Sequence, residues 1–396
     1  MSAVRTPRVV LAKGRDARPR GGHLWIYASE IARVEDDPAP GGPVDVVDHR
    51  GRFVARGYYN AASNITVRVM TRRREEPFDT ALLRRRIAQA VAYRRHFYET
   101  GESCRLVFGE GDFIPGLIVD RYGPCLAVQI TTLGIDRLRD EVVAALRDAV
   151  HPRGIYERSD LPVRAREGLE PRVGILHGEV PDEVEVDLDG VRMLAGLRSG
   201  QKTGLFLDHR FNRRAMAAHA RGRRVLDAFC NTGAFALAAL RAGAEHALGL
   251  EIAHDCLVTA RRNADLNGVQ ERCTWIEGNA FDRLKELDLK GERFGLIILD
   301  PPAFTKSVAS VPAARRGYKE INLRAFRVAS PGALVLTSSC SYHLSPDQFL
   351  EVVREAAADA GREVSLIEMR GQAPDHPVNL AVPESRYLKC ALLLVR

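Results

Sequence analysis

From about residue 196 onward, short apolar runs alternate with amphipathic stretches. The runs are "RRVLDAF", "ALGLE", "CTWIEG", "FGLIILD" and "ALVLTSS", and segments such as "AHDCLVTARRNADLNG" and "SPDQFLEVVREAAADAG" separate them. Strand-length runs joined by helix-length connections predict repeated β–α units, and therefore a doubly wound parallel sheet covered by helices. An α/β, Rossmann-like domain over 196–396 is expected. The last two runs, "EVSLIEM" and "YLKCALLLV", have no helical segment between them. That predicts an antiparallel strand at the sheet edge.

The preceding half lacks this rhythm. Residues 1–75 contain "RVVLA", "VDVVD", "RFVARGYY" and "ITVRVM", broken by glycine and proline as in "DDPAPGGP", a spacing that predicts a small β-barrel or sandwich. A helix is expected from about Asp79, a candidate N-cap, to about Thr100, carrying Leu82, Leu83, Ile87, Val91 and Tyr93 on its apolar face. From Cys104 to about Ala195, hairpin strands mix with a helix over "IDRLRDEVVAALRDAV", and "VEVDLDGVRMLAG" reads as a further hairpin. The chain therefore divides into a β domain over 1–75, an α+β middle domain over 76–195 and the α/β domain over 196–396. A length of 396 residues, too long for one core, agrees with that division.

Charge separates these parts again. Residues 1–100 hold 19 basic against 11 acidic side chains, more than the whole chain's surplus of +7, and 18 of the 19 are arginine. Arginine meets phosphate through a planar fork and stacks on bases, so an RNA or DNA partner competes here with a plain solvated basic face. The seven cysteines are scattered, without a CxxC or a Cys/His cluster, which reads as reduced thiols and no metal site. No apolar stretch has the length of a membrane span or the form of a signal peptide, so a cytoplasmic enzyme is expected.

In an open α/β sheet the ligand lies beyond the carboxyl ends of the strands, and the residues there carry the function. The first strand ends in "VLDAFCNTGAFALAAL": Asp227 closes it, Phe229, Asn231, Thr232 and Gly233 form the loop, and a helix begins. The second strand ends in Glu251, where a carboxylate can accept from ribose hydroxyls. A nicotinamide dinucleotide would use such an acid too, but its pyrophosphate calls for G-x-G-x-x-G, and this loop has only Gly233. The pattern points to a nucleoside without phosphates, S-adenosylmethionine, with its amino acid end near Asp227 and the loop backbone.

Two strand ends remain for the reaction. The fourth closes in "LDPPAF", Asp300 to Phe304, resembling the D/N-P-P-Y/F of methyltransferases that act on exocyclic nitrogens, although the aromatic Phe304 comes one residue late behind Ala303. The fifth closes at Cys340 in "LTSSCSYH". Carbon 5 of a pyrimidine is a poor nucleophile until a thiolate adds to carbon 6, and such a thiol needs an acid nearby to hold the base. Cys340 with Asp300 meets that demand. The rival cysteine, Cys230, lies in the cofactor loop and reads as packing, and His343 receives no role. Methylation at a base nitrogen, with Asp300, Pro301 and Pro302 gripping the amino group and Phe304 stacking, stays open. So does a non-catalytic RNA-binding or assembly protein.

Three longer segments carry a resemblance. "KGRDARPRGGHLWIYASEI", "DFIPGLIVDRYG" and "SGQKTGLFLDHRFNR" are similar to the cytosine-5 methyltransferases of large-subunit ribosomal RNA that begin with a PUA domain, and the likeness runs over nearly the whole chain. The resemblance implies a PUA domain that grips 23S ribosomal RNA through Lys13, Arg18, Arg20 and Trp25, and Cys340 as the nucleophile. It implies that Gln201, Thr203 and Asp208 shape the cofactor or substrate pocket, and that a homodimer can form. In "IEGNAFD", Asn279, followed by Ala280, stands where many proteins of this fold have the aspartate that accepts from the adenine amino group. An asparagine oxygen can accept that bond, or Asp282 can reach back.

Overall fold

The computed structural model describes residues 6–198, 203–305 and 307–396. By contacts the chain forms two compact units: 1–185 with 195–207 and 374–385, and 186–194 with 208–373 and 386–396.

In the first unit, six strands form one sheet: β1 (Arg8–Leu11), β2 (Trp25–Ile26), β3 (Ile31–Glu35), β4 (Pro43–Val47), β5 (Phe53–Tyr59) and β6 (Val67–Thr71). Their order is β2-β6-β5-β4-β1-β3, with only β1 and β4 parallel. Alternate residues such as Val9 and Leu11, Val44 and Val46, and Val67 and Val69 fill its core, as a strand period of two requires. The following helix, Thr80–Arg94, is capped by Asp79, which accepts from the Leu82 amide at 2.9 Å. It stops six residues before the expected Thr100. Arg95, His96 and Phe97 each donate to the carbonyl three residues back, a tightening that ends the α-helical ladder.

A second sheet follows from β7 (Cys104–Phe108), β8 (Leu117–Tyr122), β9 (Cys125–Ile130), β10 (Gly154–Ser159) and β11 (Arg172–Gly178), in the order β11-β10-β9-β8-β7. Only β9 and β10 are parallel, and the helix Arg139–Val150 lies in their crossover. The expected hairpin is present as β12 (Glu183–Leu188) and β13 (Val191–Gly196), turned at Asp189-Gly190.

The second unit holds a seven-stranded sheet: β14 (Arg224–Ala228), β15 (His246–Glu251), β16 (Cys273–Glu277), β17 (Phe294–Leu299), β18 (Ala329–Ser339), β19 (Val364–Arg370) and β20 (Lys389–Val395). The order is β16-β15-β14-β17-β18-β20-β19. The first five of these strands are parallel, and strand order reverses between β14 and β17, where ligands bind in such sheets. The antiparallel strand is not at the edge. β20 pairs with both β18 and β19, and β19 forms the edge. Burial explains the exchange: β20 is buried almost throughout, as "KCALLLV" suits, whereas β19 exposes Leu366, Ile367 and Glu368. Beneath the sheet, Leu226, Leu250, Ile297, Leu299 and Val335 pack with Tyr318, Phe326 and Phe349.

Candidate active site

At the end of β14, Asp227 is 1 % exposed. Its Oδ2 accepts from the Ala236 amide in the first turn of the helix Ala234–Arg241, at 3.1 Å, and its Oδ1 is enclosed without a hydrogen-bond partner among the described residues. Burial pushes the carboxyl pKa up, to about 7, and Asp300 and Glu251 add to the rise. An enclosed, unpartnered oxygen of this kind fits a cationic ligand group. The loop between reaches the helix through left-handed residues, Phe229 at φ 75°, Asn231 at 48° and Gly233 at 87°. A side chain on Gly233 would meet the Trp275 ring at 2.7 Å.

At the end of β15, Glu251 Oε1 accepts from the amides of Ile252 and Ala253, at 2.8 and 3.0 Å, and Oε2 from that of Asn231, at 3.0 Å. A carboxylate has about four acceptor positions, so Oε2 keeps room for a ribose hydroxyl. Buried Asn263 fastens the same loop by donating to the Thr232 carbonyl at 2.9 Å. Asn279 caps the helix Ala280–Leu289 by accepting from the Phe281 amide at 2.9 Å, so one lone pair of the expected adenine acceptor holds that helix start.

β17 and β18 are neighbours, and their ends bring Asp300 and Cys340 to the same edge of the sheet. Asp300 Oδ1 accepts from Ser338 Oγ at 2.5 Å and from His209 Nε2 at 3.1 Å. His209 is 3 % exposed. Burial disfavours its charged form, but Asp300 and Asp208 outweigh that and raise its pKa. Its Nδ1 faces the Asn212 amide at 3.1 Å, and that amide is oriented by Arg370, which donates to Oδ1, and by the Gly371 carbonyl. Asn212 therefore donates to Nδ1, and Nε2 carries the proton directed at Asp300.

Around Cys340 the residues alternate in burial. Ser339 and Ser341 are wholly buried, the Ser341 hydroxyl lies 2.9 Å from that of Tyr318, and Cys340 is half-buried. From β20, Lys389 donates to the Ser341 carbonyl at 2.6 Å. Cys230 contrasts with this. It is enclosed near Asp227 and Glu251, and burial pushes its thiol pKa far up, the state of packing material.

Other expected residues are placed differently. Pro301 is buried and Pro302 exposed, while Phe304 packs on Tyr318, with ring centroids 4.6 Å apart, and on Phe281. Asp208 accepts from Tyr387 at 2.6 Å in the second unit. Thr203 belongs to the first unit, where it donates to Asp120 at 2.5 Å, and Gln201 lies outside the described residues. In the first unit, Lys13 is exposed, but Arg18 forks onto Glu30, Arg20 pairs with Asp16 and Asp48, and Trp25 Nε1 donates to Glu110 at 2.8 Å. Sequence reasoning missed His209, Asn212, Tyr318 and Lys389. Only Lys389 left a local signal, a charge inside an apolar strand.

Comparison with known proteins agrees with this architecture. Residues 9–72 match the PUA-like domain, and residues 161–385 match the S-adenosylmethionine-dependent methyltransferase family. The chain is 40% identical over 395 residues to the ribosomal RNA large subunit methyltransferase I of Aeromonas hydrophila, covering 98% of this chain and 99% of that protein. It is 41% identical to that of Pseudoalteromonas atlantica, over 96% and 98%. In fold it is similar to a chain described as a SAM-dependent methyltransferase from Streptococcus mutans, with a TM-score of 0.83 at 20% identity over 98% and 99% of the two chains. A methyltransferase solved in complex with SAH matches with a TM-score of 0.85 at 19% identity over the same shares. The chain is thus an S-adenosylmethionine-dependent methyltransferase carrying a PUA-like domain, and it belongs to the ribosomal RNA large subunit methyltransferase I family.

Proposed function

We propose that this enzyme methylates carbon 5 of a cytosine in large-subunit (23S) ribosomal RNA through a covalent adduct on Cys340. The observation that carries the reading is the pairing of a half-buried thiol and a carboxylate at the ends of neighbouring parallel strands, Cys340 after β18 and Asp300 after β17, next to the strand ends that carry Asp227 and Glu251. The names of the full-length relatives supply the RNA class.

S-adenosylmethionine supplies an electrophilic methyl group. Asp227 and the Phe229–Gly233 loop would hold its amino acid end, Glu251 its ribose, and Asn279 with Ala280 its adenine. The Cys340 thiolate adds to carbon 6, and the electron pair of the 5,6 double bond moves to carbon 5, which then takes the methyl. Loss of the carbon 5 proton returns its bonding pair to the ring, and the thiolate leaves. Asp300 steadies the base through Oδ2, since Oδ1 already takes Ser338 and His209. Face-on attack needs a base that is unpaired or drawn from its stack. Phe304, packed on Tyr318 and Phe281, favours this reading over nitrogen methylation, which would need it on the base.

The PUA-like domain binds the RNA, with exposed Lys13 the foremost of its candidates and Arg18, Arg20 and Trp25 shaping the surface around it. A cytoplasmic location and a homodimer belong to the same reading. The test is mass-spectrometric nucleoside analysis of ribosomal RNA from cells lacking the protein, complemented with wild type or Cys340→Ala. One 5-methylcytidine should disappear and return with wild type alone. If Cys340→Ala restores it, or another modified base is the one lost, the thiol mechanism is wrong.

A further inference from the structure

We propose that Lys389 is a positioning residue that keeps Cys340 as a thiolate, its ammonium serving as the thiolate's counter-ion. The inference rests on the reading of Cys340 as nucleophile and adds to it the group that charges the thiol.

The geometry begins with strand pairing. β20 runs antiparallel to β18, and Lys389, its first residue, is the register partner of Ser339, the residue before Cys340. The side chain is carried over the end of β18, where Nζ donates to the carbonyl of Ser341, the residue after Cys340, at 2.6 Å. A second bond goes to the Tyr387 carbonyl at 3.0 Å. Lys389 thus brackets the cysteine from both sides of its backbone.

Its charge has no other home. Lysine is rarely buried without an ionic partner, yet Lys389 is 4 % exposed, and among the described residues its hydrogen bonds go to carbonyls and not to a carboxylate. Two neutral carbonyls take two of its three protons. Of the charged groups acting on it, Arg386 repels and Cys340 attracts. Burial pushes the ammonium pKa down and a thiolate at Cys340 offsets part of that fall, which leaves it at about 8. Two groups so placed stabilise each other's charge and titrate together, so the ammonium favours the thiolate as the thiolate favours the ammonium.

Three further described groups near Cys340 do not supply that charge. Tyr318, from the helix Val311–Val328, has its pKa raised by burial and is a neutral hydroxyl tied to Ser341. Asp300, a carboxyl group, offers no cation and is engaged by Ser338 and His209. Cys390, next to Lys389 in sequence, is wholly buried and its thiol is pushed far up.

The test is alkylation of the full-length protein by iodoacetamide between pH 6 and 10, followed peptide by peptide in wild type, Lys389→Met and Lys389→Arg, with Cys273 as the internal reference. In wild type Cys340 should titrate below the ordinary thiol value of about 8.5. Lys389→Met should slow its alkylation at pH 7 roughly tenfold, Lys389→Arg should restore most of the rate, and the acid limb of the activity profile should move with the thiol. An unchanged Cys340 titration in a folded Lys389→Met protein overturns the proposal. If that variant does not fold, a wild-type Cys340 titrating at or above about 8.5 overturns it just as well. Failure of the nucleophile reading looks different: Cys340→Ala would then keep making 5-methylcytidine whatever Lys389 does to the thiol.

Discussion

The two halves of this sheet's carboxyl edge are built by different means. At β14 and β15 the acids are held by backbone: Glu251 accepts three amides and Asp227 one, and the loop is set by residues at positive φ. At β17 and β18 side chains hold side chains: His209 and Ser338 on Asp300, and Tyr318 on Ser341, with the Lys389 ammonium laid over the strand end. On the proposed mechanism the first half presents one fixed surface to a ligand, while in the second charge appears and vanishes during turnover, which ionisable groups set against one another permit.

The sharpest way to break the contrast is Asp300→Asn. The amide keeps the size of the carboxylate but loses the charge that faces His209 and the acceptor offered to the base. Turnover should fall roughly a hundred- to a thousandfold, with little change in the dissociation constant of S-adenosylmethionine measured by calorimetry. Turnover within a few-fold of wild type would mean that β17 contributes shape alone, and the two halves would then be alike.

Much of the backbone-built half could be read from the sequence, because its information is local. Asp227 and Glu251 each stand directly after an apolar run and Gly233 in the turn that follows the first, so the strand period and the turn residues locate them without knowledge of the fold. The ion-paired half is assembled from afar. His209 precedes the sheet altogether, and Lys389 arrives on the last strand, so nothing near Asp300 or Cys340 announces either. Position of β20 was legible in principle, since "KCALLLV" is too apolar for an edge and "EVSLIEM" is polar enough for one. Arginine was legible as a surplus but not residue by residue. Arg18, Arg20 and Arg56 meet acids of their own unit, partners that a charge count cannot assign.

Packing offers a second, smaller challenge to the backbone-built half. Gly249 lies in the middle of β15, where a side chain would come within 2.4 Å of the Trp275 ring and 2.9 Å of Cys230 Sγ. Gly249→Ala should cost about 1–3 kcal/mol in a urea unfolding experiment, because the indole and the loop that carries Cys230 must both shift. Affinity for S-adenosylmethionine should weaken with it, since that loop leads into Asn231 and Gly233. A variant as stable as wild type would show that the loop is looser than its positive-φ residues and its ties to Glu251 and Asn263 imply.

The smallest effect concerns pH, and it tests whether the backbone-built half is as inert as it looks. Burial raises the Asp227 pKa from 3.8 to about 7, so the folded protein holds a proton there that the unfolded chain releases. The stability linked to that proton is complete below the unfolded value and is lost as pH rises through about 7. A ligand ammonium near Oδ1 favours the carboxylate, so binding should reverse the protonation. Between pH 5 and 7, below the range where the ligand's own amine titrates, affinity for S-adenosylmethionine should rise with pH by up to about tenfold per unit. At pH 6 binding should release close to about one proton, measured by calorimetry in two buffers of different ionisation enthalpy. Asp227→Asn should bind weakly and without pH dependence. A flat wild-type profile would mean that the enclosed oxygen never meets the ammonium, and that the two halves differ in function as fully as they do in construction.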